Sequence, residues 1–182
     1  MAPAAAEVAA RPVAFDAQDN RPFAIVDKRA ATLSIYAANG RLIGRTPALL
    51  GLTPGDAEPA SARGKAPSAL AAHERVTPAG RFEAAPGRNL SGERVVWFDY
   101  GANLAIHRLR PAPESQRRPE RLVSDKLQDR RITLGCVVVD PAFFDEVVLP
   151  TLGKGASLVY ILPERAPLVV AGGGKLHAAA AP

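Results

Sequence analysis

Along most of this chain the apolar residues come in short runs, alternating or continuous, set apart by turn-forming residues. That is the pattern of strands, not of long helices. Phe23-Ala24-Ile25-Val26-Asp27 and Thr32-Leu33-Ser34-Ile35-Tyr36 read as two strands, the second with Leu33 and Ile35 on one face. Asn39-Gly40 is a two-residue hairpin signal and leads into Arg41-Leu42-Ile43-Gly44-Arg45 as the return strand, so the chain opens as a β-meander. Strand character returns at Arg81-Phe82-Glu83, at residues 95–100 and, across Gly101, at residues 103–107. Residues 132–139 read as a glycine turn feeding a buried strand, and residues 157–162 as a last strand that Pro163 ends. Helix signals are sparse. One short helix fits near residues 120–124, and Asp140-Pro141 opens another, with Asp as N-cap, Pro at the first helical position and Phe143, Phe144, Val147 and Val148 on one apolar face.

The same pattern divides the chain. Residues 1–21 lack apolar periodicity and are expected to form an extended leader; residues 22–164 hold the folded domain; residues 165–182, with three consecutive glycines and an Ala-rich end, read as a low-complexity tail. Two long connections interrupt the domain. Residues 54–78 are rich in Ala, Pro, Gly and Ser, and residues 108–131 are broken by Pro111, Pro113 and Pro119. Connections this long are functional or mobile in most folds.

Composition narrows the class. With 182 residues, 47% of them apolar and 23% charged, the chain suits one globular domain of mostly β structure. No apolar run approaches the roughly 20 residues that a helical membrane span needs. The net charge of +5 would suit an anionic partner, but aromatic residues are only 5% of the chain and are not interleaved with the basic ones, which argues against nucleic-acid binding. The Ala-rich start lacks the basic and apolar regions of a secretory signal. The expectation is therefore either a cytoplasmic protein, if Met1 is the native start, or an exported one whose signal lies outside the sequence.

A single cysteine, Cys136, excludes a disulfide framework and a zinc ribbon. It is either buried filler among the valines that follow it or a reactive thiol. Gly135 before it allows close backbone approach, and backbone N–H groups in such a turn can face a developing oxyanion. His107, at a strand end, is the histidine placed near structured elements; His73 falls in the first long connection and His177 in the tail. A neighbouring imidazolium and a turn of N–H groups are expected to lower the pKa of the thiol.

The order Ile106-His107, a connection, then Thr133-Leu134-Gly135-Cys136 resembles the signature of the L,D-transpeptidases, in which a strand-borne His precedes a Ser/Thr-His-Gly-Cys turn. The resemblance extends over most of the chain: the opening meander, Thr77-Pro78-Ala79-Gly80-Arg81-Phe82 in place of a Thr-Pro-x-Gly-x-Phe segment, and the ending Val159-Tyr160-Ile161-Leu162-Pro163-Glu164. His107-Arg108 and Arg131-Ile132-Thr133-Leu134-Gly135-Cys136 are similar to a proteobacterial branch with an Arg-rich connection.

The resemblance implies a β-sandwich of short mixed strands with one or two short helices. It also implies acyl transfer on peptidoglycan stem peptides in the periplasm or cell envelope, without metal or cofactor. Cys136 would be the nucleophile and His107 the base, with Gly135 and Thr133 in the catalytic turn and the Gly135 and Cys136 N–H groups holding the oxyanion; with water as acceptor the same site would be an L,D-carboxypeptidase. Of the arginines at 108, 110, 117, 118, 121, 130 and 131, Arg131 and Arg108 are the expected ligands of substrate carboxylates, the rest forming a solvated loop. Two positions depart from the family: Leu134 replaces the His or Tyr before Gly-Cys, and Val138 stands where Asn or Arg is usual. They admit an alternative, a wall-binding or scaffold module of the same fold that has lost turnover.

Overall fold

The computed structural model describes residues 19–165. The expected leader, apart from residues 19–21, and the expected tail beyond Arg165 lie outside it, as does His177.

Ten strands build the domain: β1 (Phe23–Asp27), β2 (Thr32–Tyr36), β3 (Leu42–Pro47), β4 (Leu50–Gly51), β5 (Gly80–Arg88), β6 (Arg94–Asp99), β7 (Leu104–Arg108), β8 (Arg131–Thr133), β9 (Val137–Val139) and β10 (Ser157–Ile161). Eight of them form one mixed sheet in the order β3-β2-β1-β10-β5-β6-β7-β9, and β4 and β8 form a separate parallel pair. The long strand β5 joins the two halves. Its first part, Gly80 to Ala84, pairs antiparallel with β10, and its second, Ala85 to Arg88, pairs antiparallel with β6. Both halves feed one core: Ala24, Val26, Leu33, Ile35, Val159 and Ile161 from one side, and Val96, Phe98, Ile106, Val137 and Val139 from the other.

Two short helical segments complete the layer structure. The first, α1 (Arg118–Leu122), is shifted by two residues from its expected place, because Pro119 suits the first turn of a helix. The second begins as expected, with Asp140 Oδ1 accepting from the N–H groups of Ala142 and Phe143. It runs through α2 (Pro141–Phe143), a π-helical turn (Phe144–Val148) and α3 (Leu149–Leu152), and inserts Phe144, Val148 and Leu152 into the core.

Residues 132–139 do not form a single element. β8 and β9 belong to different sheets, and the turn between them carries Cys136. Residues 49–52 bridge the two. Leu49 exchanges backbone hydrogen bonds with Val138 at 2.8 and 3.0 Å, Leu50 and Gly51 pair with β8, and the Leu52 N–H donates to Thr133 O at 3.0 Å. A local sequence of Ala, Leu and Gly thus acts as the brace under the turn.

Candidate active site

Strands β7 and β9 are parallel neighbours, with His107 across from Val138 and Ile106 across from Val137. Because side chains alternate along a strand, His107, Val138 and Cys136 share one face of the sheet. That face opens into a cavity of about 550 Å³ lined by Cys136, His107, Thr133, Leu134, Val138, Arg110 and Arg118, among others. The first long connection, which contains three short 3-10 turns (Ala60–Ala62, Pro67–Ala69, Ala72–Glu74), supplies further lining. There Glu74, nearly fully buried, takes the Lys65 ammonium at 2.6 Å and the Ala71 N–H at 2.8 Å; chiefly through Lys65 its pKa is lowered to about 2.

The turn that presents the thiol is held by hydroxyls. Thr133 Oγ1 donates to Cys136 O at 2.7 Å and accepts from the Gly135 N–H at 3.1 Å. Thr77, fully buried, donates from Oγ1 to Gly135 O at 2.8 Å and accepts from the Gly51 N–H at 2.9 Å. Gly135 has φ +131°, and a Cβ there would stand 2.8 Å from Leu104 Cδ2 and 2.8 Å from Val76 O, so the position requires glycine.

The two candidate reacting groups are both uncharged in this setting. Burial pushes the Cys136 thiol pKa up, against the smaller opposing pull of the Ala105 N–H and of Arg110. Its Sγ donates weakly to Asn103 O at 3.5 Å, which a left-handed Asn103 (φ 58°) turns towards it. His107 is lowered to about 4, first by burial and then by Arg110. The expected depression of the thiol by an imidazolium therefore does not occur: both groups lie in a desolvated pocket that disfavours either charge. Nδ1 of His107 lies 2.8 Å from Arg108 O, which as a carbonyl can only accept. That bond fixes the tautomer with the proton on Nδ1 and leaves Nε2 as the proton acceptor.

Of the residues singled out from sequence, Cys136, His107 and Thr133 line one cavity, and Gly135 lies in the same turn. Arg131 and Arg108 do not line it. Arg131, buried, points into the fold: it forms a bidentate pair with Glu164 and donates to Lys28 O at 3.0 Å. The same buried network contains Lys28, which donates to Asp56 Oδ1 at 2.9 Å and to Thr77 O at 2.9 Å. Arg108 is exposed and lies 3.6 Å from Glu93 and 3.5 Å from Asp145. The arginines that do reach the cavity are Arg110 and Arg118; proximity in sequence to the Gly-Cys pair was the wrong guide, since the connection folds back over the strand ends. The Gly135 N–H, engaged by Thr133, is also removed from the expected oxyanion donors. Among the described residues no group of three His, Cys, Asp or Glu side chains could hold a metal, and no helix is long and apolar enough to cross a membrane.

No family model matches the sequence, and no curated relative does. Solved structures do. The helical cell shape determining protein Pgp2 from Campylobacter jejuni is 14% identical, with a TM-score of 0.52 over 82% of this chain and 50% of that one. The catalytic domain of the E. faecium L,D-transpeptidase is 17% identical, with a TM-score of 0.47 over 80% of this chain and 99% of that one. An L,D-transpeptidase from Mycobacterium smegmatis is 16% identical, with a TM-score of 0.43 over 78% and 58%. This chain spans half the length of the Campylobacter protein, and at such identities the likeness is one of fold.

Proposed function

We propose that this chain is a cysteine acyltransferase of the L,D-transpeptidase family acting on peptidoglycan stem peptides in the cell envelope, with L,D-carboxypeptidase activity where water is the acceptor. One observation carries the reading: the Cys136 thiol and the free Nε2 of His107 share one strand face and open into one cavity. The order of the motifs and the shared fold support it.

The geometry suits a neutral pair that reacts on demand. Substrate enters with both groups uncharged; Cys136 loses its proton to His107 Nε2 as the Sγ–C bond forms at the peptide carbonyl. The Arg108 carbonyl, accepting from Nδ1–H, stabilises the imidazolium for that moment. As the C–N bond breaks, His107 returns the proton to the leaving amine, and an incoming amine or water then attacks the thioester. Thr133 and Thr77 act as positioning residues that hold the turn, and the Cys136 N–H is the remaining donor from the turn for the oxyanion.

A second reading, a wall-binding module without turnover, is favoured by Val138, which puts a buried apolar side chain on the cavity wall. Incubation with tetrapeptide-stem muropeptides separates the two. Cross-linked or trimmed products that vanish in Cys136→Ala support the enzyme; retention on insoluble wall without products supports the module.

A further inference from the structure

The cavity is cationic at one end, and its two arginines are not equivalent. Arg110 is neutralised, its Nε 2.5 Å from Glu93 Oε2, although the angle there does not make a hydrogen bond. Arg118 has no carboxylate partner among the described residues. Its Nε donates to Gln116 Oε1 at 2.6 Å, which fixes the plane of the guanidinium and leaves the terminal nitrogens unengaged. The side chain is half-buried, and burial followed by Arg110 lowers its pKa. A partly desolvated cation of this kind costs stability until an anion reaches it.

Position says which anion. Both arginines lie near enough to His107 for their charges to act on its ring. On the reading above, His107 hands its proton to the leaving amine, so the departing residue lies on this side of the cavity. One Cα separates that amine from the C-terminal carboxylate of the departing residue. Val138, on the same face, offers no polar group of its own, so an ionic anchor must come from another element.

We propose that Arg118, carried in by α1 from the long connection, binds the C-terminal carboxylate of the acyl donor and so selects stem peptides with a free carboxyl end. The proposal rests on the acyl-transfer reading for the direction in which substrate lies, but its test does not need turnover.

In the Cys136→Ala background, calorimetry compares a tetrapeptide-stem muropeptide with its C-terminal carboxamide. The carboxylate form should bind about tenfold or more tightly, the order expected for a charge-assisted bidentate pair. Arg118→Ala should erase that preference, and Arg118→Lys, which keeps the charge without the fork, should retain part of it. Arg117→Ala, whose exposed side chain lies outside the cavity, should leave it intact. A preference that survives Arg118→Ala, equal binding of the two peptides, or binding of neither overturns the anchor. A preference that depends on Arg118 in a protein whose thiol performs no chemistry would keep the anchor and remove the acyl-transfer reading, so the two can fail separately.

Discussion

His107 stands directly across from Val138 in the parallel pairing of β7 and β9, and this register sets its imidazole on the same face as Cys136, two residues before Val138 and just ahead of β9. A pairing shifted by one residue would turn the ring to the other face. The brace at Leu49, bonded to Val138 in both directions, fixes β9 from its outer side.

The neutral state of the pair makes a pH prediction. With His107 at about 4, its neutral form persists well below the usual imidazole range, so the acid limb of kcat/KM should fall near pH 4 and not near 6.5. The thiol, pushed up by burial, should be alkylated by a small haloacetamide with a midpoint at higher pH in the native fold than in denaturant. Intact mass measured against pH reads this directly. A native midpoint below the denatured one would mean a preformed thiolate and would sink the neutral-pair mechanism.

Thr77→Val keeps the shape of a fully buried side chain and removes the hydroxyl that links the Gly51 N–H to Gly135 O. Leaving two buried backbone groups without that partner should cost about 1–3 kcal/mol in urea unfolding. Turnover should fall more than substrate affinity, because the turn that carries Cys136 loosens while the cavity walls remain.

Arg131→Ala should act on stability and not on substrate. The side chain is 7% exposed against 9% for Glu164, and its loss leaves a buried carboxylate with Lys28 as its remaining cationic neighbour. Breaking such a pair costs on the order of 3–5 kcal/mol. Chemical denaturation should show the loss, with KM of the surviving folded fraction unchanged; a raised KM at unchanged stability would restore Arg131 to the site.

These contrasts show what the sequence could convey. Short apolar runs, alternating or continuous, between turn residues located most of the strands, and the Asp140-Pro141 cap located a helix, because both signals are local. The Gly-Cys turn and the strand-end His were legible for the same reason. What failed depended on long-range contacts. Arg131 is drawn inward by Glu164, 33 positions on, while Arg118 reaches the cavity only because the connection folds back across the strand ends. Thr77 opens the segment Thr77-Pro78-Ala79-Gly80-Arg81-Phe82, yet its role as a tie between Gly51 and Gly135 requires three separate segments to meet.

Leu134 and Val138, the two positions where the sequence departs from the L,D-transpeptidase signature it resembles, sit in different environments, and this predicts different outcomes when the residues of that signature are introduced. Leu134 is 36% exposed at the cavity, so Leu134→His places an imidazole at a partly solvated position without disturbing the core. Thermal stability should be unchanged. If Leu134 weakens an existing site, turnover of tetrapeptide-stem muropeptides should rise; a silent protein that stays silent favours the binding module. Val138 is 1% exposed and packs in a cluster with Leu49 and Leu122. Val138→Asn there buries an amide, and unless it finds partners the cost is about 1–3 kcal/mol. A stability loss from Val138→Asn with no gain in rate would therefore show that the apolar floor is part of this fold's packing. Combining Val138→Asn with Arg118→Ala completes the argument: a double variant that regains activity lost in Arg118→Ala alone would mean that the two positions serve one substrate group, whereas additive losses would separate their roles.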